Sequence, residues 1–150
     1  MIIKDKNIND KMIAEIGKFT VLWSLFEKNN DNYITIDKLP VIAASITHIN
    51  AETVKNLATA LQGRVDILAS GIEEYIGYNL IPGGARPMSD DNKAKMGLFI
   101  GSNGQQSLVG GLIAVYRIRN NLLHGLKELT ELNGQIELFR AMNALLEEIA

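Results

Sequence analysis

The sequence predicts an all-α fold, an up-and-down helical bundle of four main helices plus one or two short ones. Three observations carry this. Apolar residues recur at steps of three and four through several long segments. Most of the connections between those segments are short, which favours neighbouring helices packed side by side. The best strand-like stretch, Tyr33-Ile34-Thr35-Ile36, is too short to found a sheet.

The first helix is marked by Ile8, Met12, Ile16, Phe19, Trp23 and Phe26, with Asn9 or Asp10 as its cap and an end near Asn29-Asn30. The polar segment after it reads as a loop. A short helix should open at Pro40, because a first helical position tolerates the missing N–H, and stop near His48. Asn50 then caps a long helix whose apolar face runs through Val54, Leu57, Leu61, Val65, Leu68, Ile72 and Tyr75, weakened locally by Gly63 and Gly71. Asn79 to Ser89, with Pro82-Gly83-Gly84 and Pro87, breaks the pattern and predicts a surface loop. Ser89 caps a short helix containing Met96, Phe99 and Ile100, which Gly101-Ser102-Asn103-Gly104 terminates. From about Gln105 to His124 almost no polar face remains, so this helix should be buried on most sides. Gly125 stops it. Leu129, Leu132, Ile136, Phe139, Met142, Leu146 and Ile149 mark a last amphipathic stretch that Asn133-Gly134 divides.

Composition narrows the function classes. A chain of 150 residues with 47% hydrophobic and 21% charged residues has the makings of one ordinary globular domain. It has no cysteine, which excludes disulfides, thiolate metal sites and cysteine nucleophiles. Met1-Ile2-Ile3-Lys4-Asp5-Lys6 turns charged at once, and no apolar run approaches membrane-spanning length, so the expectation is a cytoplasmic protein without leader or membrane contact. A net charge of −2 argues against coating nucleic acid by bulk electrostatics. Local contact is different. No Asp or Glu lies between Asn92 and Lys127, while Lys93, Lys95, Arg117, Arg119 and Lys127 all do, so one stretch of an acidic protein is cationic.

Arg117 and Arg119 fall in the most apolar helix of the chain, where an uncompensated charge costs several kcal/mol, so they need partners or a cleft. At about 100° per residue, Asn120 and His124 share a helix face, and Arg119 stands about 140° around from His124. His124 lies in the last turn, where the helix macrodipole favours a protonated imidazole and hence a role in proton transfer. An arginine beside it can grip a phosphate through two parallel hydrogen bonds. The combination fits phosphoryl chemistry without a metal. In a purely structural role, by contrast, Arg119 pairs with Glu27 and His124 caps a helix end.

Arg119-Asn120, three further residues, then His124-Gly125 resembles the signature of the HEPN superfamily, and the phrase Tyr116 to Lys127 looks like its form in bacterial HEPN-like proteins. Val21-Leu22-Trp23-Ser24-Leu25-Phe26-Glu27 resembles the tryptophan-and-glutamate helix that packs against the motif in that family. The resemblance spans essentially the whole chain. It implies a helical bundle that homodimerises through the motif-bearing helix, so that two motifs form one composite cleft. It further implies a metal-independent endoribonuclease, used in stress response or defence and needing no cofactor. His124 would act as acid or base around a ribose 2′-hydroxyl, Arg119 would neutralise the phosphate, and Asn120 would orient one of them. Arg117 and Lys127 would be peripheral RNA contacts, with Glu27, Tyr116 and Asn121 in support. Other family members are noncatalytic modules that bind RNA, nucleotide or a partner protein, so the fold leaves activity open. An antitoxin or other regulator protein is a further implied partner. One departure concerns it: where toxins of the family carry a modifiable tyrosine two residues after the histidine, this chain has Leu126, so neutralisation through that tyrosine is not expected.

Other patterns carry less. Glu27 to Lys38 imitates a calcium loop but places Lys38 where a bidentate glutamate belongs and Asn32 where the turn needs glycine. Pro82-Gly83-Gly84-Ala85-Arg86 lacks the lysine and hydroxyl residue of a phosphate loop. His48 reads as a surface histidine, and two histidines without clustered carboxylates predict no metal site. Trp23 sits on the buried side of its helix and reads as packing rather than base stacking.

Overall fold

Asn9 starts the first helix by satisfying one of its orphan amides. In the computed structural model, which describes residues 2–3, 6–63, 108–124 and 134–150, α1 runs Asp10–Lys28 and Asn9 Oδ1 accepts from the Lys11 amide at 2.8 Å. Its inward face is Met12, Phe19, Trp23 and Phe26. A run of asparagines ends it. The amides of Asn30 and Asn32 both donate to the Glu27 carbonyl, at 3.0 and 2.8 Å, and Asn30 Nδ2 donates to the Phe26 carbonyl at 2.8 Å. Asp31 and Asn32 take φ values of 66° and 64°, a left-handed geometry that Asp and Asn tolerate better than most side chains.

The short second helix differs from its predicted span. A 3-10 turn, Ile36–Lys38, leads directly into α2, Leu39–Ser45, with Pro40 in the first turn where no N–H is needed. It ends at Ser45 rather than near His48. Ser45 Oγ bonds back to the Ile42 carbonyl at 2.7 Å, and the β-branched Ile46 that follows is extended, with ψ of 111°. α3, Ala51–Gly63, is capped as expected: Asn50 Oδ1 accepts from the Glu52 amide at 2.9 Å. Val54, Leu57, Ala58 and Leu61 are buried. Its predicted continuation to Tyr75, the breaker region 79–89 and the short helix from Ser89 to Ile100 lie outside the described residues.

α4, Leu108–His124, is buried on most sides as expected: Leu112 to Val115 and Ile118 are all withdrawn from solvent. α5, Ile136–Ile149, follows a 3-10 turn at Gly134–Gln135. Its inward face is Leu138, Phe139, Met142, Leu145 and Leu146, while Ile136 and Ile149 are only half-buried. α5 packs against α1 and α3, and α4 packs against α2 and α3, which closes an all-α helical bundle around one apolar core. Phe19 and Phe139 meet edge to face at 5.4 Å in the α1–α5 seam.

Two details lie beyond the sequence reading. Residues 2–7 include a two-residue antiparallel ladder, β1 (Ile2–Ile3) on β2 (Lys6–Asn7), where no strand is predicted. Asn143, a polar residue on the last helix, is 1% exposed and donates through Nδ2 to the backbone carbonyl of Glu15 at 3.0 Å and to its carboxylate at 2.7 Å. Those bonds tie α5 to α1, which is why the position accepts an amide. No helix among the described residues is long and apolar enough to cross a membrane.

Candidate functional site on the first and fourth helices

The C-terminal half of α1 and the second half of α4 meet at Trp23, Glu27, Tyr116, Arg119 and Asn120. Trp23 and Glu27 are four residues apart on α1 and therefore stack along one side of it. Trp23 is 3% exposed, so its indole N–H needs a partner, and Nε1 donates to Glu27 Oε1. The Tyr116 ring leans on the indole at 6.3 Å with the planes tilted by 57°, and the Phe26 ring meets it at 5.4 Å. Glu27 is thereby held by α1 itself before it touches α4.

The same carboxylate oxygen faces Arg119. Arg119 Nη2 lies 3.6 Å from Glu27 Oε1, and Arg119 Nη1 donates to Asn120 Oδ1 at 3.1 Å. The guanidinium plane is thus fixed between a carboxylate from one helix and an amide from its own. Side-chain exposures of 35% for Arg119 and 23% for Glu27 put the pair at the edge of the bundle. Solvent screening there keeps the pair's contribution to stability below about 1 kcal/mol, so it orients the arginine more than it holds the fold. A guanidinium carries five N–H donors in a fixed fork, so an arginine held by these two partners retains donor capacity for a phosphate or carboxylate.

Of the residues singled out in the sequence, Glu27, Tyr116, Arg119 and Asn120 are brought together. The burial of Trp23 against Phe26 and Tyr116 agrees with packing rather than stacking on a base. Arg117, Asn121 and His124 lie on the α4 backbone. His124 is the last residue of the helix and stands one turn beyond Asn120, which stands one turn beyond Tyr116, so the three share a register. Lys127 is outside the described residues. His48 is exposed, as expected. Among the described residues no group of three or more His, Asp or Glu is arranged to hold a metal ion. The Glu27 carboxylate, which the imitation calcium loop would use as its opening ligand, is engaged by Trp23 and Arg119 instead.

The structure adds the support of Glu27 by the Trp23 indole. The four-residue spacing of Trp23 and Glu27 was a signal for it, since such pairs touch on a helix surface. No protein-family model matches the chain, and neither the curated proteins nor the solved structures include a significant match.

Proposed function

We propose that the protein is a HEPN-type, metal-independent endoribonuclease whose site is built on Arg119, Asn120 and His124 at the end of α4 and completed by a second copy across that helix. The observation that carries the reading is the guanidinium of Arg119, held in a set plane by Glu27 and Asn120 at the edge of the bundle. A fixed fork suits a phosphodiester, whose two non-bridging oxygens accept parallel hydrogen bonds. His124, in the last turn of the same helix, takes the acid–base role. In the attack of a ribose 2′-hydroxyl on the adjacent phosphorus, a base removes the hydroxyl proton, the arginine offsets the growing charge, and a proton returns to the departing 5′ oxygen.

A second reading has its own observation. The Arg119–Glu27 pair is the contact expected of a purely structural arginine, and it offsets part of the charge that a transition state would need, which suits a module that binds RNA, nucleotide or a partner protein without cleaving it. Cleavage of RNA by the purified protein in a chelating buffer separates the two. Under the nuclease reading, wild-type protein produces fragments, and His124→Ala and Arg119→Ala each lose at least about a hundredfold in rate. Absence of cleavage of varied RNAs by folded wild-type protein, with retention of RNA on the wild type and not on Arg119→Ala, would establish the binding module. Cleavage that survives in both variants would remove the motif from the chemistry.

A further inference from the structure

The outward side of α1 carries a strip with an internal symmetry. Asp10, Ala14, Gly17, Val21, Ser24 and Lys28 follow one another at alternate steps of four and three, and all six are exposed. That is the 3.5-residue repeat of a helix seam, set opposite the inward-facing Met12, Phe19, Trp23 and Phe26. Val21 is 62% exposed, and Leu25 beside the strip is 45% exposed. The hydroxyls along this side are turned onto the helix backbone: Ser24 Oγ donates to the Thr20 carbonyl and Thr20 Oγ1 to the Ile16 carbonyl, each at 2.9 Å. The middle of the strip therefore presents mainly apolar surface. A Cβ at Gly17 would meet nothing within 4 Å. Packing among the described residues thus gives no reason for a glycine in mid-helix, where it weakens the helix.

The order of the strip reads the same from either end. About the level of Phe19, Asp10 mirrors Lys28, Ala14 mirrors Ser24, and Gly17 mirrors Val21. A two-fold axis at that level lays two copies of α1 antiparallel, which is the self-complementary arrangement of an isologous contact. Each Val21 then stands over the Gly17 of the other copy, and each carboxylate of Asp10 meets the ammonium of Lys28 at the two ends. We infer that this strip is a docking surface for a second copy of the chain, α1 against α1 and antiparallel. A parallel pair would set Asp10 beside Asp10 and Lys28 beside Lys28, which like-charge repulsion disfavours. An ionised carboxylate offers about four acceptor positions, so contacts of Asp10 within its own chain are compatible with the added ammonium. Lys18, which flanks the strip near its centre, is already paired with Glu147.

One helix pair buries less than the roughly 1,200 Å² of a standard interface, so the association is weak and rises with protein concentration. The contact is separate from the motif on α4 and stands whether or not the chain cleaves RNA.

The chain contains no cysteine, so single cysteines can report the register directly. Under mild oxidation, a mixture of Ala14→Cys and Ser24→Cys proteins should form a cross-linked heterodimer that neither variant forms alone. Sedimentation equilibrium of the wild type should show mass increasing with concentration. Val21→Glu, which sets an unpaired carboxylate in the seam, should weaken that association about tenfold or more while leaving the helical circular dichroism unchanged. Cross-linking of each variant with itself in place of the mixed pair would overturn the antiparallel register. A wild type that stays monomeric at high micromolar concentration, or a dimer indifferent to Val21→Glu, would overturn the surface.

Discussion

Glu27 holds two groups at once, and replacing it in two ways separates what each is worth. Glu27→Ala removes the acceptor of the Trp23 indole N–H, and Trp23 is only 3% exposed. Leaving a buried donor unsatisfied costs about 1–3 kcal/mol. The same change removes the ion pair with Arg119, whose side chain is 35% exposed, so screening holds that loss below about 1 kcal/mol. The expected destabilisation is therefore about 1–4 kcal/mol. Glu27→Gln keeps a carbonyl oxygen for the indole and loses only the charge, so its cost should stay near 1 kcal/mol or less. With a urea slope of about 2 kcal/mol/M, Glu27→Ala should lower the unfolding midpoint by roughly 0.5–2 M and Glu27→Gln by at most about 0.5 M. Trp23 is the only tryptophan, so its fluorescence reports the unfolding and its own surroundings together. A double-mutant cycle with Trp23→Phe, followed by circular dichroism, isolates the indole contribution: in that background Glu27→Ala should lose about 1–3 kcal/mol of its effect. Equal costs for Glu27→Ala and Glu27→Gln, or no coupling to Trp23→Phe, would refute the assignment of Glu27 as the acceptor of the indole.

Two further predictions follow from the α1–α5 seam. Asn143→Ala should destabilise the protein by about 2–3 kcal/mol through lost hydrogen bonds and a cavity, whereas Asn143→Leu, of similar volume, should cost less, because it removes the buried amide without emptying the site; urea unfolding of the two variants checks the order. One turn further along both helices, the hydrogen bond to Glu147 holds the Lys18 ammonium above the ordinary lysine value of 10.5. A raised folded-state value means the stabilisation is complete below that ordinary value and is lost as pH rises through the folded one, so Glu147→Gln should lower the thermal midpoint slightly at neutral pH and flatten its fall above pH 10.5, where the two proteins converge.

The helices themselves were largely legible along the chain. Asn9 and Asn50 announce two starts, and each caps its helix through its own side chain, because capping involves residues only two positions apart. The buried character of α4 followed from its lack of a polar face. The early end of α2 was less legible, since the hydrogen bond of Ser45 to Ile42 and the extended Ile46 compete closely with one more helical turn. In the candidate site, spacing and the family resemblance singled out Arg119, Asn120 and His124, and the resemblance also pointed to the helix that carries Trp23 and Glu27.

What the sequence by itself determined was where helices form and which side of each is apolar, because both depend on a period of 3.6 residues within one segment. Which helix lies opposite which was settled only in three dimensions, since periodicity names a face and not its partner. That is why the burial of Asn143 among the apolar residues of α5 is accounted for only by Glu15, across the seam on α1. It is also why the plane of the Arg119 guanidinium, set between Glu27 of one helix and Asn120 of another, is a property of the packed bundle: two groups far apart along the chain must first be brought within a few ångströms before either can direct the other.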